Sequence, residues 1–181
     1  VSNTVEGGIH RYNYSSWGKR SKKLANALKS LNLQQGDKVG TLAWNGYRHL
    51  EIYYATSCSG LICHTINPRL HPDQVSYIVN HAEDKVLCVD LNILPLIEKA
   101  SENFKTVEFL VVMTDAKNMV KPKVKNDIKV ICYEDFIKDE TDQFIWPQLD
   151  EKTASSLCYT SGTTGNPKGV LYSHRSTVLH A

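Results

Sequence analysis

Two spacings of apolar residues alternate along this chain, one typical of buried strands and the other of amphipathic helices. Short runs rich in Val, Ile and Leu are separated by segments in which apolar residues recur every three or four positions. The predicted strands span residues 9–14, 38–44, 61–66, 85–90, 107–113 and 128–132, and the predicted helices span residues 15–33, 47–58, 72–81, 94–104 and 134–137. Strands that alternate with helices predict an α/β fold, in which a largely parallel sheet is flanked by helices.

The first predicted helix has an apolar stripe and a basic cluster that lies largely off it. We expect Ser15 or Ser16 to cap the start of this helix. The stripe consists of Trp17, Leu24, Leu28 and Leu31, and the cluster consists of Lys19, Arg20, Lys22 and Lys23. A charged face opposite an apolar stripe is typical of a solvated surface, which we favour over a contact with a cofactor or a membrane.

Two polar segments interrupt the predicted elements. Residues 114–127 are rich in lysine and predict a surface loop, and residues 139–153, which contain Trp146-Pro147, predict a linker. The chain is therefore expected to consist of an α/β subdomain over residues 1–138, the linker over 139–153, and a final segment over 154–181.

The final segment has a strand-loop-strand pattern. Apolar residues lie before and after a stretch of glycine, serine and threonine, and the flanking residues are Ala154, Leu157, Cys158 and Tyr159 on one side and Val170, Leu171 and Tyr172 on the other. This arrangement predicts a hairpin, with a helix that begins only after His174.

Composition narrows the functional classes. The 21 basic and 19 acidic residues give a net charge of +2, which offers no reason to expect a nucleic-acid partner. Five cysteines without a C-x-x-C pair are typical of buried free thiols in a reducing cytoplasm, and Cys63-His64 has no second pair at a zinc-like spacing. Since no run approaches the ~20 apolar residues of a membrane-spanning helix, we expect a soluble cytoplasmic protein.

The loop between the two predicted strands has the chemistry of a phosphate cradle. Gly162 and Gly165 allow sharp bends that expose backbone N–H groups to an anion. Hydroxyl groups and one ammonium group supply the other donors, and these come from Thr160, Ser161, Thr163, Thr164 and Lys168. The loop therefore predicts binding of a polyphosphate, with Lys168 as the source of positive charge.

A Walker A loop is the obvious alternative for such a segment. It requires a glycine before the lysine and a serine or threonine after it. Pro167 and Gly169 occupy these two positions, and a Walker loop would also lead from a strand into a helix. Both departures argue against a P-loop NTPase or kinase, and the run of small residues argues against an ordinary hairpin turn.

Residues 159–170 resemble the phosphate-binding signature of the adenylate-forming, or AMP-binding, superfamily. Residues 65–70, 78–85 and 172–175 are similar to the branch that contains medium- and long-chain fatty-acyl-CoA synthetases and methylthiopropionate-CoA ligases. The resemblance implies a two-step reaction, in which a carboxylic acid and Mg²⁺-ATP form an acyl-adenylate before CoA displaces AMP. In that reaction the predicted loop would hold the β- and γ-phosphates.

The resemblance also implies that this chain is an incomplete N-terminal domain. In the family, the adenine and ribose motifs, the magnesium carboxylate, most of the acyl pocket and the catalytic lysine follow the position of Ala181. Both Val1 and Ala181 look like the ends of a piece of a longer protein, which we expect to be inactive alone and to bind ATP weakly at best. The family's long-chain members suggest a homodimer.

The remaining candidates have structural interpretations. Tyr159 and Trp44 are predicted core aromatics, and Asn67-Pro68-Arg69 predicts a turn in which Arg69 holds neighbouring backbone. His174 is expected to help start the last helix through its own hydrogen bonds. The spacing of the other histidines predicts neither a nucleophile–base pair nor a metal triad, and they are His10, His49, His64, His71, His81 and His180. We therefore predict no catalytic acid or base, and a non-catalytic phosphate-binding or interaction module remains an alternative to an enzyme.

Overall fold

A computed structural model of the protein describes residues 1–125, 127–160 and 166–181. Its strands are β1 (Ser2–Asn3), β2 (Ile9–His10), β3 (Lys38–Leu42), β4 (Ile62–Thr65), β5 (Asp84–Val89), β6 (Phe109–Val112), β7 (Lys129–Cys132), β8 (Ala154–Thr160) and β9 (Lys168–Ser173). Its α-helices are α1 (Tyr14–Ser30), α2 (Tyr47–Cys58), α3 (Pro72–Ala82), α4 (Leu94–Ala100), α5 (Tyr133–Lys138) and α6 (His174–His180).

The main sheet has seven strands in the order β7-β6-β5-β3-β4-β8-β9. Neighbouring strands from β7 to β8 are parallel, and only the terminal pair β8–β9 is antiparallel. The predicted α/β fold with a largely parallel sheet is therefore confirmed. Strands β1 and β2 form a separate antiparallel pair.

Helices cover both faces of the sheet, because alternate residues of the buried strands point to opposite sides. On one face, α3 and α4 pack through Val79 and Ile97 against Leu87 and Val112. On the other face, α1, α2 and α5 pack against the neighbouring residues of the same strands, through a cluster that contains Leu24, Leu28, Ile52, Tyr133, Val86 and Val111. Loops after β3 and β5 therefore leave the sheet toward opposite faces.

The ends of several elements differ from the sequence prediction. The first helix begins at Tyr14, and the Asn13 side chain caps it by accepting a hydrogen bond from the Ser16 N–H at 2.9 Å, so the predicted serine cap is wrong. The edge strand predicted over residues 9–14 is limited to β2, since the helix begins within that range. The helix predicted over 94–104 ends at Ala100, and a 3₁₀ turn over Ser101–Asn103 follows it.

The basic cluster on α1 is only partly a solvated face. Arg20 is half-buried, its Nε lies 2.8 Å from Glu51 Oε1, and its two terminal nitrogens each lie 3.0 Å from a Glu134 oxygen. Arg48 Nε lies 2.9 Å from Glu134, and its Nη1 lies 2.7 Å from Glu6. The prediction of a solvated face is wrong for Arg20, because its partners lie on α2 and α5, far away in the sequence.

The other composition-based expectations concern thiols, the linker and membranes. All five cysteines are free, and Cys63, Cys88 and Cys132 are buried. Residues 139–153 form no helix or strand. Within the part of the chain that the structure describes, none of the helices combines the length and the apolar character needed to cross a membrane.

Candidate functional site

Strands β8 and β9 bring two of the seven predicted phosphate-binding residues together. The antiparallel register pairs Thr160 with Lys168 and Tyr159 with Gly169, so the predicted strand-loop-strand hairpin is confirmed. Thr160 and Lys168 are the paired residues that flank the loop. The other five predicted residues, which are Ser161, Gly162, Thr163, Thr164 and Gly165, lie outside the described residues.

The loop begins at the edge of the sheet where α/β proteins commonly bind ligands. Because β8 runs parallel to β4, Thr160 lies at the carboxyl end of its strand, on the same edge as the carboxyl ends of β3 to β7. Thr160 and Lys168 are both exposed, and Lys168 forms no ion pair with any residue that the structure describes. An anion in solution can therefore reach both side chains.

Gly169 has a packing role in the hairpin. A Cβ atom at this position would lie 3.2 Å from Tyr159 Cζ and 3.2 Å from Leu157 Cδ1. A contact of that length requires the neighbouring side chain to move. Gly169 thus lets the Tyr159 ring lie directly over the strand that carries Lys168.

A buried histidine–aspartate pair lies behind the hairpin. His64 on β4 and Asp84 on β5 are fully buried, and His64 Nδ1 lies 2.8 and 2.9 Å from the two carboxylate oxygens. Burial raises the pKa of Asp84, while the hydrogen bond from His64 opposes that increase. The His64 Nε2 atom has no hydrogen-bond partner among the described residues.

The spacing of residues along the sequence did not predict the His64–Asp84 pair, because β4 and β5 are not neighbours in the sheet. They lie on either side of β3, where Gly40 is paired with both His64 and Leu87. A Cβ on Gly40 would lie 3.0 Å from Asp84 Oδ2 and would clash with Leu87 Cδ2. The signal in the sequence was Gly40 inside a predicted strand, because a glycine there often marks a close approach of another group.

Tyr159 connects the hairpin to α3. Its hydroxyl oxygen lies 2.6 Å from His81 Nδ1, and its ring lies 5.3 Å from the His64 ring between centroids. Burial raises the pKa of Tyr159 to about 12, so the phenol stays protonated near neutral pH and keeps its O–H as a hydrogen-bond donor. Tyr159 is partly buried against the core, as predicted.

Two other predictions concerned Trp44 and the turn at residues 67–69. Trp44 is 41% exposed, so its assignment to the core is wrong, and its backbone N–H donates to Asp90 Oδ2 at 2.7 Å. The turn is confirmed, since Asn67 Oδ1 accepts a hydrogen bond from the Arg69 N–H at 3.0 Å. Arg69 itself lies over the Trp44 ring, 5.9 Å from its centroid.

The start of the last helix is set by a serine. Helix α6 begins at His174, and the Ser173 side chain caps it by accepting a hydrogen bond from the Ser176 N–H at 3.1 Å. The expected role of the His174 side chain is therefore wrong, because its Nε2 is buried and has no partner among the described residues.

Comparisons with known proteins agree on one family. The sequence profile described as "AMP-binding enzyme" matches residues 2–181. A medium-chain-fatty-acid–CoA ligase of Ectopseudomonas oleovorans is 48% identical over 100% of this chain and 33% of its own length. A 3-methylmercaptopropionyl-CoA ligase of Ruegeria pomeroyi is 48% identical over 98% of this chain and 32% of its own length.

A solved structure supports the same relationship. The crystal structure of an anthranilate CoA ligase in complex with anthranoyl-AMP superposes with a TM-score of 0.79 at 27% identity, over 89% of this chain and 29% of that protein. The chain therefore spans about a third of the length of the curated relatives that it matches.

Proposed function

This chain belongs to the family of AMP-binding enzymes, and on that basis we propose that the full-length protein is an ATP-dependent acid–CoA ligase that forms AMP. The observation that carries the proposal is the β8–β9 hairpin, which places Thr160 and Lys168 side by side at the carboxyl edge of the sheet. The names of the two bacterial relatives favour a fatty acid or a short sulfur-containing acid as the substrate.

The proposed reaction has two steps. A carboxylate oxygen of the acid attacks the α-phosphorus of ATP, and pyrophosphate leaves as its bond to that phosphorus breaks. The sulfur of CoA, having lost its proton, then attacks the acyl carbon, and AMP leaves. The hairpin serves the first step, in which negative charge grows on the departing pyrophosphate.

The residues of the hairpin would bind and orient the β- and γ-phosphates. Lys168 supplies a full positive charge, Thr160 a hydroxyl donor, and we assign the hydroxyl and backbone donors between them, at residues 161–165, to the same group. Donors fixed before the reaction stabilise developing charge without having to reorganise. Mg²⁺ would neutralise further charge on the phosphates, but the described residues contain no cluster of three metal-binding side chains, so we assign it no protein ligand.

Two further features of the full-length protein are part of the proposal. Free cysteines favour a reducing compartment, and we place the protein in the cytoplasm. We also propose a homodimer, which rests on the resemblance to long-chain enzymes alone.

Exchange of labelled pyrophosphate into ATP tests the proposal in the full-length protein. Wild-type protein should catalyse exchange only when a carboxylic acid is present. Lys168→Ala should lower the exchange rate about ten- to a hundredfold, because a hydrogen bond to a charged group contributes ~1.5–3 kcal/mol. Lys152→Ala removes another exposed lysine close to the start of β8 and should leave the rate unchanged.

Other outcomes would reject the proposal. Release of γ-phosphate without any acid would indicate an NTPase, and a wild-type protein without exchange for any acid would indicate a binding module. Exchange that is unaffected by Lys168→Ala would remove Lys168 from the mechanism.

A further inference from the structure

We infer that Tyr159, held by His81, is a positioning residue for adenylation, because it fixes the two strand ends from which the phosphate loop extends. The inference rests on the proposed function and adds two residues to it. Neither residue lies in the loop itself, and neither needs to touch ATP.

Tyr159 is adjacent to both of the strand ends that flank the loop. It directly precedes Thr160 on β8, and its cross-strand partner is Gly169, which directly follows Lys168 on β9. Its ring occupies the space beside Gly169, where a Cβ would lie 3.2 Å from Cζ. A displacement of this ring would therefore move both ends of the loop relative to each other.

The Tyr159 hydroxyl is held by His81, a residue of α3. His81 lies in the last turn of α3, a helix that begins with Pro72 and a capping box between His71 and Gln74. The neighbouring residues Val79 and Ala82 are buried, and the Tyr77 ring stacks on His81 at 5.5 Å. The His81 side chain is exposed, but its place on this capped helix and its stacking on Tyr77 restrain the ring, and its 2.6 Å hydrogen bond links Tyr159 to α3.

The Tyr159 ring also lies close to a buried pair of side chains. His64 lies 5.3 Å from the Tyr159 ring and is itself fixed by two short contacts with Asp84. Because both members of that pair are fully buried, neither can move without disturbing the core. Tyr159 is therefore restrained by its proximity to the buried His64 ring and by a hydrogen bond at its hydroxyl.

A positioning role and a purely structural role differ in which half-reaction they affect. The hairpin is proposed to act on departing pyrophosphate, which has already left when CoA attacks the acyl-adenylate. Loss of the Tyr159–His81 hydrogen bond should therefore slow adenylation and spare thioester formation from supplied acyl-adenylate. General destabilisation would lower both.

The experiment uses the full-length protein with Tyr159→Phe, His81→Leu and the double variant. Each single substitution should lower the rate constant of acid-dependent pyrophosphate exchange roughly two- to tenfold, the range of one hydrogen bond. The double variant should be no slower than the slower single variant, because both remove the same interaction. Thioester formation from supplied acyl-adenylate should match the wild type.

Two matched variants complete the test. His81→Asn keeps a polar side-chain atom close to the position of Nδ1 and should restore most of the exchange rate. Tyr54→Phe removes a hydroxyl from an exposed tyrosine with no hydrogen bond to the described residues and should have no effect.

The inference is overturned if Tyr159→Phe leaves exchange unchanged, if both half-reactions fall equally, or if the two single effects multiply in the double variant. Lys168→Ala separates this failure from failure of the proposed function. If Lys168→Ala slows exchange while Tyr159→Phe does not, the enzyme assignment stands and the positioning role is wrong.

Discussion

At the scale of single residues, two glycines decide how the hairpin and the sheet behind it pack. Gly169 leaves room for the Tyr159 ring, and Gly40 leaves room for the carboxylate of Asp84. Neither has a positive φ, so the requirement at both positions is space and not backbone conformation. These glycines are therefore part of the packing behind the proposed site, although neither belongs to the proposed phosphate loop.

Gly40→Ala should destabilise the protein by about 1–3 kcal/mol, because the added methyl group overpacks the space between Leu87 and Asp84. The thermal midpoint of the full-length protein should fall. Gly18→Ala is the matched control, since beyond the nearby backbone of α1 no described atom lies within 4 Å of its added Cβ, and alanine favours a helix by about 0.5–1 kcal/mol. An unchanged midpoint for Gly40→Ala would contradict the packing described for the His64–Asp84 pair.

At the scale of elements, a network of charged side chains ties α1, α2 and α5 to the N-terminal segment. Glu134 accepts hydrogen bonds from Arg20, Arg48 and the Tyr47 hydroxyl, with distances from 2.9 to 3.1 Å. Arg48 also contacts Glu6, which accepts a hydrogen bond from the Thr114 hydroxyl at 3.0 Å. Glu134 is thus the centre of a contact between elements that are distant in sequence.

The pKa of Glu134 predicts how this contact responds to acid. Burial opposes ionisation, but the hydrogen bonds and charges of Arg20 and Arg48 outweigh it and lower the pKa. The contribution of ionised Glu134 to the stability of the fold is therefore complete at a pH above the pKa of an unfolded glutamate, about 4.3. It is lost as the pH falls toward the lower pKa of Glu134 in the native protein. In that window the unfolded chain binds a proton that the native protein does not.

Glu134→Gln should lower the thermal midpoint at pH 7 and flatten its decrease below about pH 5, the region in which an unfolded glutamate begins to titrate. Glu102→Gln, at an exposed position without an ion pair to the described residues, should keep the wild-type profile. A Glu134→Gln profile parallel to that of the wild type would show that this carboxylate does not contribute to acid sensitivity.

At the scale of the whole molecule, the sequence predicted what depends on local spacing and missed what depends on strand order. The alternating spacings of apolar residues were sufficient to predict the α/β class. They also predicted helix α2 with the same first and last residue as the structure. The motif at residues 159–170 was sufficient for the family. Strand order is not encoded locally, so the approach of His64 to Asp84 across β3 could not be read from spacing.

Contacts between distant residues also explain two other errors. Arg20 belongs to a basic run, and only the packing of α1 on α2 and α5 shows that its partners are Glu51 and Glu134. Trp44 lies just after β3, where an apolar strand pattern ends at an exposed edge. In both cases the local pattern led to a wrong prediction, because the environment of the side chain is set by residues far away in the chain.

Transfer of a labelled oxygen tests the central claim, that this hairpin belongs to an acyl-adenylate-forming enzyme. The full-length protein is incubated with ATP, CoA and a fatty acid that carries ¹⁸O in its carboxyl group, and the nucleotide product is analysed by mass spectrometry. Attack of the carboxylate on the α-phosphorus predicts AMP with one ¹⁸O atom and unlabelled pyrophosphate. ADP as the product, or AMP without the label, would contradict the account.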